Sequence, residues 1–263
     1  MLEHAFMQRA FIVGILLAVI IPLIGVVVVL KRLSMIGDAL SHTSLAGVAL
    51  GLILGINPVV GAVVTCTVAA FSIEFIRKKI PKYAEISISI IMSVGIGLAS
   101  ILSGYVKSAT DFNSFLFGSI VAITDGELYL VIAISVAVMV AFFLFYREFM
   151  YISFDEKSAR LAGVPVRRMN FLITILTAVT VSVASRSVGA LIVSSMMVIP
   201  VACAMQLSKS YKQTVIYSVL FAVVFTIIGL TVSYYFSLKP GGTIVMAGVA
   251  VLVVLMTFSG KNK

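Results

Sequence analysis

The amino-acid sequence predicts an all-α, polytopic membrane protein with eight or nine transmembrane helices. Of its 263 residues, 61% are hydrophobic and 11% are charged, whereas a soluble domain has about 45–50% apolar and about 25% charged residues. A single soluble core of this length could not bury so much apolar surface. The same composition excludes a disordered chain, and it excludes nucleic acid as a partner of the chain as a whole.

Nine apolar runs approach the length of about 20 residues with which a helix crosses a bilayer. In order, the runs cover residues 10–30, 39–56, 59–76, 86–106, 128–146, 171–184, 188–207, 215–236 and 243–258. They are continuously apolar, which indicates helices and disfavours membrane β-strands. Polar residues 185–187 are expected to separate the sixth helix from the seventh. A further apolar piece, 115–123, is too short to span as a helix and is expected to be re-entrant or interfacial.

Basic residues cluster after every second run. The clusters lie at 31–32, 77–82, 147–168, 209–212 and 261–263. Two spans separate each pair of neighbouring clusters, so all five are expected on one side, and the excess of Lys and Arg in inner loops makes that side cytoplasmic. The Lys and Arg residues of these cytoplasmic loops account for the net charge of +9. Residues 1–263 are therefore expected to form a single transmembrane domain, surrounded by lipid.

Asp38 and His42 stand out in the second run because ionisable residues inside a span are costly and often functional. Their spacing of four places them on one helical face. A carboxylate and an imidazole together suit a divalent transition metal. Two ligands are too few for a tight site, so a second copy of the chain or a further residue would have to complete it. The alternatives are a hydrogen bond between the two that fixes helix packing, or Asp38 as a helix N-cap.

The second run also carries Gly47, Gly51 and Gly55 at intervals of four residues. Small residues at this spacing let a second helix backbone approach closely, and such stripes are common in membrane bundles. The stripe therefore predicts helix packing.

The polar segment at about 153–168 begins with Asp155 and Glu156 and ends with Gly163 and Pro165. These are start and stop signals of a short helix. On the cytoplasmic side such a helix can dock onto a partner or form a surface turn. The sequence contains no G-x-x-x-x-G-K-[ST] motif, so ATP binding by this chain through a P-loop is not expected. Motifs of metalloproteases and serine hydrolases are also lacking, which argues against a membrane enzyme.

Three motifs resemble those of the permease subunits of metal-ion ABC importers, the zinc, manganese and iron-chelate family. They are KRLSMIGDALSHTSLAGVA at 31–49, DEKSARLAGVP at 155–165 and RSVGALIVSSMMVIPVA at 186–202. The turn Pro240-Gly241-Gly242 is also similar to the family's. The resemblance extends over nearly the whole chain.

The resemblance implies an ABC-importer permease bundle that works as a homodimer in the cytoplasmic membrane of a prokaryote. Two copies of a separate ATPase would bind the ATP, and an extracytoplasmic metal-binding protein would deliver the ion. Asp38 and His42 match the family's intramembrane acid–histidine pair. The residues that match its ATPase-coupling region are Asp155, Glu156, Ala159, Arg160, Gly163 and Pro165.

The resulting hypothesis is ATP-driven uptake of Zn²⁺ or Mn²⁺ by alternating access, in a chain that is not an enzyme and holds no cofactor of its own. The ion would pass between two protomers and contact Asp38 and His42 of each. The alternative is an ion-coupled secondary transporter in which Asp38 carries a proton or cation. That alternative predicts transport without ATP and its collapse with the proton gradient.

Overall fold

A computed structural model of the chain describes residues 5–80, 84–106, 115, 116, 118 and 125–259. Helices dominate these residues. They are α1 (Ala5–Leu30), α2 (Ile36–Leu54), α3 (Pro58–Lys79), α4 (Ala84–Ser103), α5 (Asp125–Leu144), α6 (Tyr146–Phe154), α7 (Glu156–Leu161), α8 (Val166–Ala184), a π-helical turn (Ser185–Gly189), α9 (Ala190–Leu207), α10 (Tyr211–Phe236) and α11 (Pro240–Ser259).

The nine predicted apolar runs correspond to nine of these helices, and α6 and α7 are additional short helices in the polar segment between the fifth and sixth runs. Eight of the long helices have the length and composition to cross a membrane. The remaining one, α9, has a shorter apolar part, Ile192–Leu207. The all-α bundle with eight or nine spans is thereby confirmed. Most of the short apolar piece at 115–123, which was predicted to be re-entrant or interfacial, lies outside the described residues.

The predicted separation of the sixth and seventh helices at residues 185–187 is wrong. Helix α8 continues without a loop through the π-helical turn, and the chain reverses at Gly189, whose φ of +106° suits glycine. Two of the three polar residues have partners on this helical path. Ser185 Oγ donates to the Val181 carbonyl oxygen at 2.7 Å, and Arg186 Nε donates to Glu127 Oε1 at 2.9 Å.

Helices α1, α2 and α8 are the most deeply buried spans, whereas α4, α5 and α11 lie at the periphery. Helix α2 packs between α3, α4 and α9, and α1 packs against α5, α9 and α10. Because lipid solvates apolar side chains as well as a protein core does, the peripheral helices can expose apolar faces without loss. The buried position of α2 therefore makes every polar group on it notable.

The two ends of the bundle carry different charged groups. At one end, here called the basic end, Lys31 contacts Glu156, and Lys209 lines a cleft together with Leu30 and Phe154. At the opposite end, Asn57 lines a small cavity of about 40 Å³ with Glu127 and Arg186. Basic clusters that were predicted to share one side thus lie together, including Arg77, which lines a groove with Lys31. The last cluster, 261–263, lies outside the described residues.

Glycines bring α2 and α3 into backbone contact. A Cβ added to Gly47 would lie 2.5 Å from the carbonyl oxygen of Gly61 and 2.8 Å from Ala62 Cα. One turn on, a Cβ added to Gly51 would lie 2.8 Å from Pro58 Cα. Both positions therefore need the absence of a side chain.

Gly55 does not belong to this contact, contrary to the predicted stripe. It lies at the C-cap of α2 in the left-handed conformation, with φ +70° and ψ +20°, and a Cβ added there would meet nothing within 4 Å. Its backbone N–H donates to the Gly51 carbonyl oxygen. The helix ends at Leu54, directly before Gly55, and this glycine serves helix termination instead.

Replacement of Gly47 by alanine should destabilise the bundle. The added methyl group collides with backbone atoms of α3, and such overpacking costs about 1–3 kcal/mol. Thermal unfolding in detergent should show a lower Tm than the parent. The control is Gly97→Ala on the exposed side of α4, where a Cβ would meet nothing within 4 Å and alanine should be neutral or favourable in a helix. Equal Tm values for the parent and Gly47→Ala would contradict this assignment.

Candidate metal site and coupling surface

Asp38 and His42 lie near the N-terminal end of α2, on its one face that is not covered. Both side chains are half-buried, whereas the other residues between Ile36 and Ala49 are buried. Asp38 belongs to the first helical turn, where a carboxylate interacts favourably with the helix dipole. The spacing argument therefore placed the pair correctly on a common face.

The two structural alternatives for this pair do not match the geometry. Met35, not Asp38, occupies the N-cap position, and no side chain caps that helix end. Within the described part of the chain, neither Asp38 nor His42 has a hydrogen-bond or ion-pair partner. That the two side chains contact a metal ion stays a prediction. It is supported by the lack of a partner for either side chain among the described residues.

One protomer supplies too few ligands for a closed metal site. Among the described residues, no group of three or more His, Cys, Asp and Glu side chains is placed to hold a metal ion. A two-ligand set fits the earlier expectation that the partner protomer or a further group completes the coordination. Incomplete coordination also suits an ion that must leave again.

Helix α9 covers the start of α2 directly beside Asp38. A Cβ added to Gly37 would lie 3.3 Å from Ser194 Cβ and 3.6 Å from Met197 Sδ. Ser194 belongs to the third sequence motif, so the first and third motifs meet at this point of the fold. The sequence alone offers no distance between them.

The polar segment after the fifth span forms a well-defined short helix, α7. Asp155 is its N-cap and accepts hydrogen bonds from the backbone N–H of Lys157 at 2.9 Å and of Ser158 at 3.2 Å. The Ser158 hydroxyl donates to the same carboxylate at 2.6 Å. These hydrogen bonds lower the pKa of Asp155, and the one from the Ser158 hydroxyl has the largest effect. Asp155 therefore begins α7, as the sequence predicted.

The end of α7 has the hydrogen bonds of a Schellman motif. The backbone N–H of Val164 donates to the Ala159 carbonyl oxygen at 3.0 Å, and that of Gly163 donates to the Arg160 carbonyl oxygen at 3.1 Å. Gly163 has φ +84°, which L side chains rarely adopt. Pro165 follows as the N-cap of α8. Gly163 and Pro165 thus separate two helices, as their positions predicted.

The side chains of the segment divide between the bundle and solvent. Ala159 is buried, Glu156 is half-buried, and Asp155, Arg160 and Pro165 are exposed. Leu161, which sequence reasoning missed, is 90% exposed at the C-terminal end of α7. An apolar side chain so fully exposed outside the spans suits a protein partner. Only the orientation of α7 distinguishes it from the many buried leucines.

A groove of about 690 Å³ opens beside α7 at the basic end, lined by five basic and two acidic side chains. On its inner wall, Lys31 Nζ donates to Glu156 Oε1 at 2.6 Å. Burial opposes ionisation of Glu156, but the hydrogen bond and charge of Lys31 outweigh it and lower the pKa of Glu156. Burial also lowers the pKa of Lys31. On the opposite wall, Arg77 pairs with Glu74 at 2.7 Å.

These features define a polytopic helical bundle with a short surface helix, α7, at its basic end and, among the described residues, an unpartnered aspartate and histidine on one face of α2. The ABC 3 transport family matches residues 3–259. The "Probable metal transport system membrane protein" of Treponema pallidum is 34% identical over 261 residues, covering 98% of this chain and 97% of that protein. The "Manganese transport system membrane protein MntC" of Listeria monocytogenes is 32% identical over 263 residues, covering 100% and 94%.

Among solved structures, PsaBC from Streptococcus pneumoniae in complex with Fab has a TM-score of 0.86 and 30% sequence identity, covering 96% of this chain and 91% of that chain. The chain therefore belongs to the ABC 3 transport family, and its fold is that of an ABC-importer permease. The resemblance inferred from the three motifs is confirmed.

Substitution of Gly163 should loosen α7 locally. Alanine in the left-handed conformation costs about 1–2 kcal/mol, and proline, whose φ is fixed near −65°, also removes the hydrogen bond to Arg160. Hydrogen exchange of segment 156–164 should be faster in Gly163→Ala and fastest in Gly163→Pro. Gly242→Ala, where a Cβ would meet nothing within 4 Å, is the control. Unchanged exchange in Gly163→Pro would show that the turn does not hold α7.

Proposed function

We propose that this chain is the membrane-spanning permease of an ATP-driven importer for a divalent transition-metal ion. The observation that carries the proposal is the Asp38–His42 pair, which is half-buried in a stretch of α2, residues 36–49, that is otherwise buried, and which has no partner among the described residues. Mn²⁺ is the first candidate because several relatives are named for manganese transport. Zn²⁺ is the second, because carboxylate and imidazole ligands accept both ions.

The assembly we propose is a homodimer in the cytoplasmic membrane of a prokaryote. Two protomers would bring two Asp38 and two His42 side chains to a shared path, which is enough for a transient site. The basic end would face the cytoplasm, in keeping with the excess of cations there. A separate ATPase would bind ATP and dock on α7, and an extracytoplasmic metal-binding protein would deliver the ion at the opposite end.

The chemistry of the pair sets the pH dependence that this function should show. An imidazole binds a metal ion only in its neutral form, so acidification competes with the metal for His42. A carboxylate such as Asp38 attracts the cation and is common to Mn²⁺ and Zn²⁺ sites. Weak coordination by a few ligands allows release after each cycle.

Loss of either ligand should strongly reduce metal uptake. Cells that lack their own manganese importer would express the chain with its ATPase and binding protein, and ⁵⁴Mn²⁺ uptake would be measured. Asp38→Ala and His42→Ala should each reduce uptake by at least about tenfold, as weaker perturbations of metal ligation already do. Leu50→Ala, at a half-buried position of the same helix, is the matched control.

Two results would contradict this function. Uptake by His42→Ala with the rate and pH profile of the parent would exclude the pair as ligands. Uptake that persists without the ATPase and stops when the proton gradient is collapsed would favour the ion-coupled secondary transporter instead.

A further inference from the structure

The ammonium group of Lys31 is buried between three elements at the basic end. Its side chain is only 5% exposed, and Nζ donates hydrogen bonds to Glu156 Oε1 and to Asn170 Oδ1. Asn170 Nδ2 in turn donates to Glu156 Oε1 at 3.0 Å. The three side chains come from the connection after α1, from the first turn of α7 and from α8. They form a closed triangle in which the only acid is neutralised and hydrogen-bonded twice.

This triangle specifies the position of α7 more than it stabilises the bundle. A buried ion pair gains little net stability, because desolvation of both charges offsets their attraction. Charge-assisted hydrogen bonds are directional, however, and removal of one partner leaves the other charge uncompensated. The Glu156 side chain is 41% exposed, so α7 lies at the bundle surface and contacts the interior through this carboxylate and Ala159. Within α7, only Ala159 is fully buried.

The chain between Lys31 and α2 is short, and several backbone hydrogen bonds order it. Arg32 has φ +59°, and its N–H donates to the Val29 carbonyl oxygen at 2.9 Å. The N–H of Leu33 donates to Val28 at 2.9 Å, and that of Ile36 donates back to Leu33 at 2.9 Å. The connection is therefore short and ordered, so that we expect a displacement of Lys31 to reach the first turn of α2.

Asp38 lies in that first turn, and His42 lies one turn further along the same face. The direct route from α7 to the start of α2 runs through the side-chain contact between Glu156 and Lys31. A second, indirect route leads through Asn170 into α8, which also packs against α2.

We propose that Lys31 is a positioning residue that couples movement of α7 to the start of α2, and thereby to Asp38 and His42. This inference rests on the proposed function. When an ATPase moves α7, the pull of Glu156 on Lys31 shifts the connection and reorients the first turn of α2. Lys31 itself contacts neither metal nor ATP, and its replacement uncouples hydrolysis from transport without preventing docking.

The test measures transported ions per ATP hydrolysed in proteoliposomes that contain this chain, its ATPase and its binding protein, with Mn²⁺ as the probe. Lys31→Met keeps the apolar stem and should lower this ratio by about tenfold, within the usual range of coupling between sites. Lys31→Arg keeps the charge and should retain most of the ratio. Lys209→Met, an exposed lysine at the same end, is the control and should not change it.

A double variant separates coupling from folding. Lys31→Met/Glu156→Gln leaves no uncompensated charge, so its yield and Tm should return towards the parent, while its transport ratio should stay low. A parental ratio in Lys31→Met or in the double variant would overturn the inference, and so would loss of the ATPase on co-purification with Lys31→Met. A parent chain that moves no Mn²⁺ with ATP would overturn the proposed function first, and this inference with it.

Discussion

The close approach of α2 to its neighbours is the constraint on which the rest of the structure depends. In a lipid environment, helices do not associate through burial of apolar surface, so tight packing of backbones has to hold them. Gly47 meets Gly61 of α3 directly, Gly37 meets Ser194 of α9, and Gly95 of α4 lies against Thr43. Small residues at these contacts therefore let three neighbours pack closely on α2. Between Ile36 and Ala49, only Asp38 and His42 are not fully buried.

The charged groups at the two ends follow the same logic of a chain that crosses a membrane several times. At the end opposite the basic end, Arg186 lies within a helical turn, and its charge is met by Glu127 and by the face of the Phe115 ring at 4.7 Å. At the basic end, Glu156 and Glu74 each have a cationic partner. The difference lies in what these pairs join. The Glu127 pair joins spans, whereas the Glu156 pair joins α7 to the connection that precedes α2.

Much of the fold was predictable because lipid makes the relevant signals long and strong. Continuous apolar runs locate the spans to within a few residues, and alternation of basic clusters assigns their ends. A spacing of four places Asp38 and His42 on one face in any helix. Local chemistry was equally readable in α7, where Asp155 begins the helix and Gly163 ends it. The wrong predictions, at Gly55 and at residues 185–187, concern where a helix stops. A helix end depends on partners such as Glu127 that are distant in the sequence.

By itself, the sequence determined that the spans number eight or nine, the end at which the cations gather, the helical face shared by Asp38 and His42, and the limits of α7. These features depend on composition and on periodicity within one segment. The tertiary structure alone decided that residues 36–49 of α2 are buried except at Asp38 and His42, that Lys31 meets Glu156 and Asn170, and that Leu161 is exposed. The partners of Lys31 lie 125 and 139 residues further along the chain. No local pattern encodes such a meeting, because it follows from how the spans pack against one another.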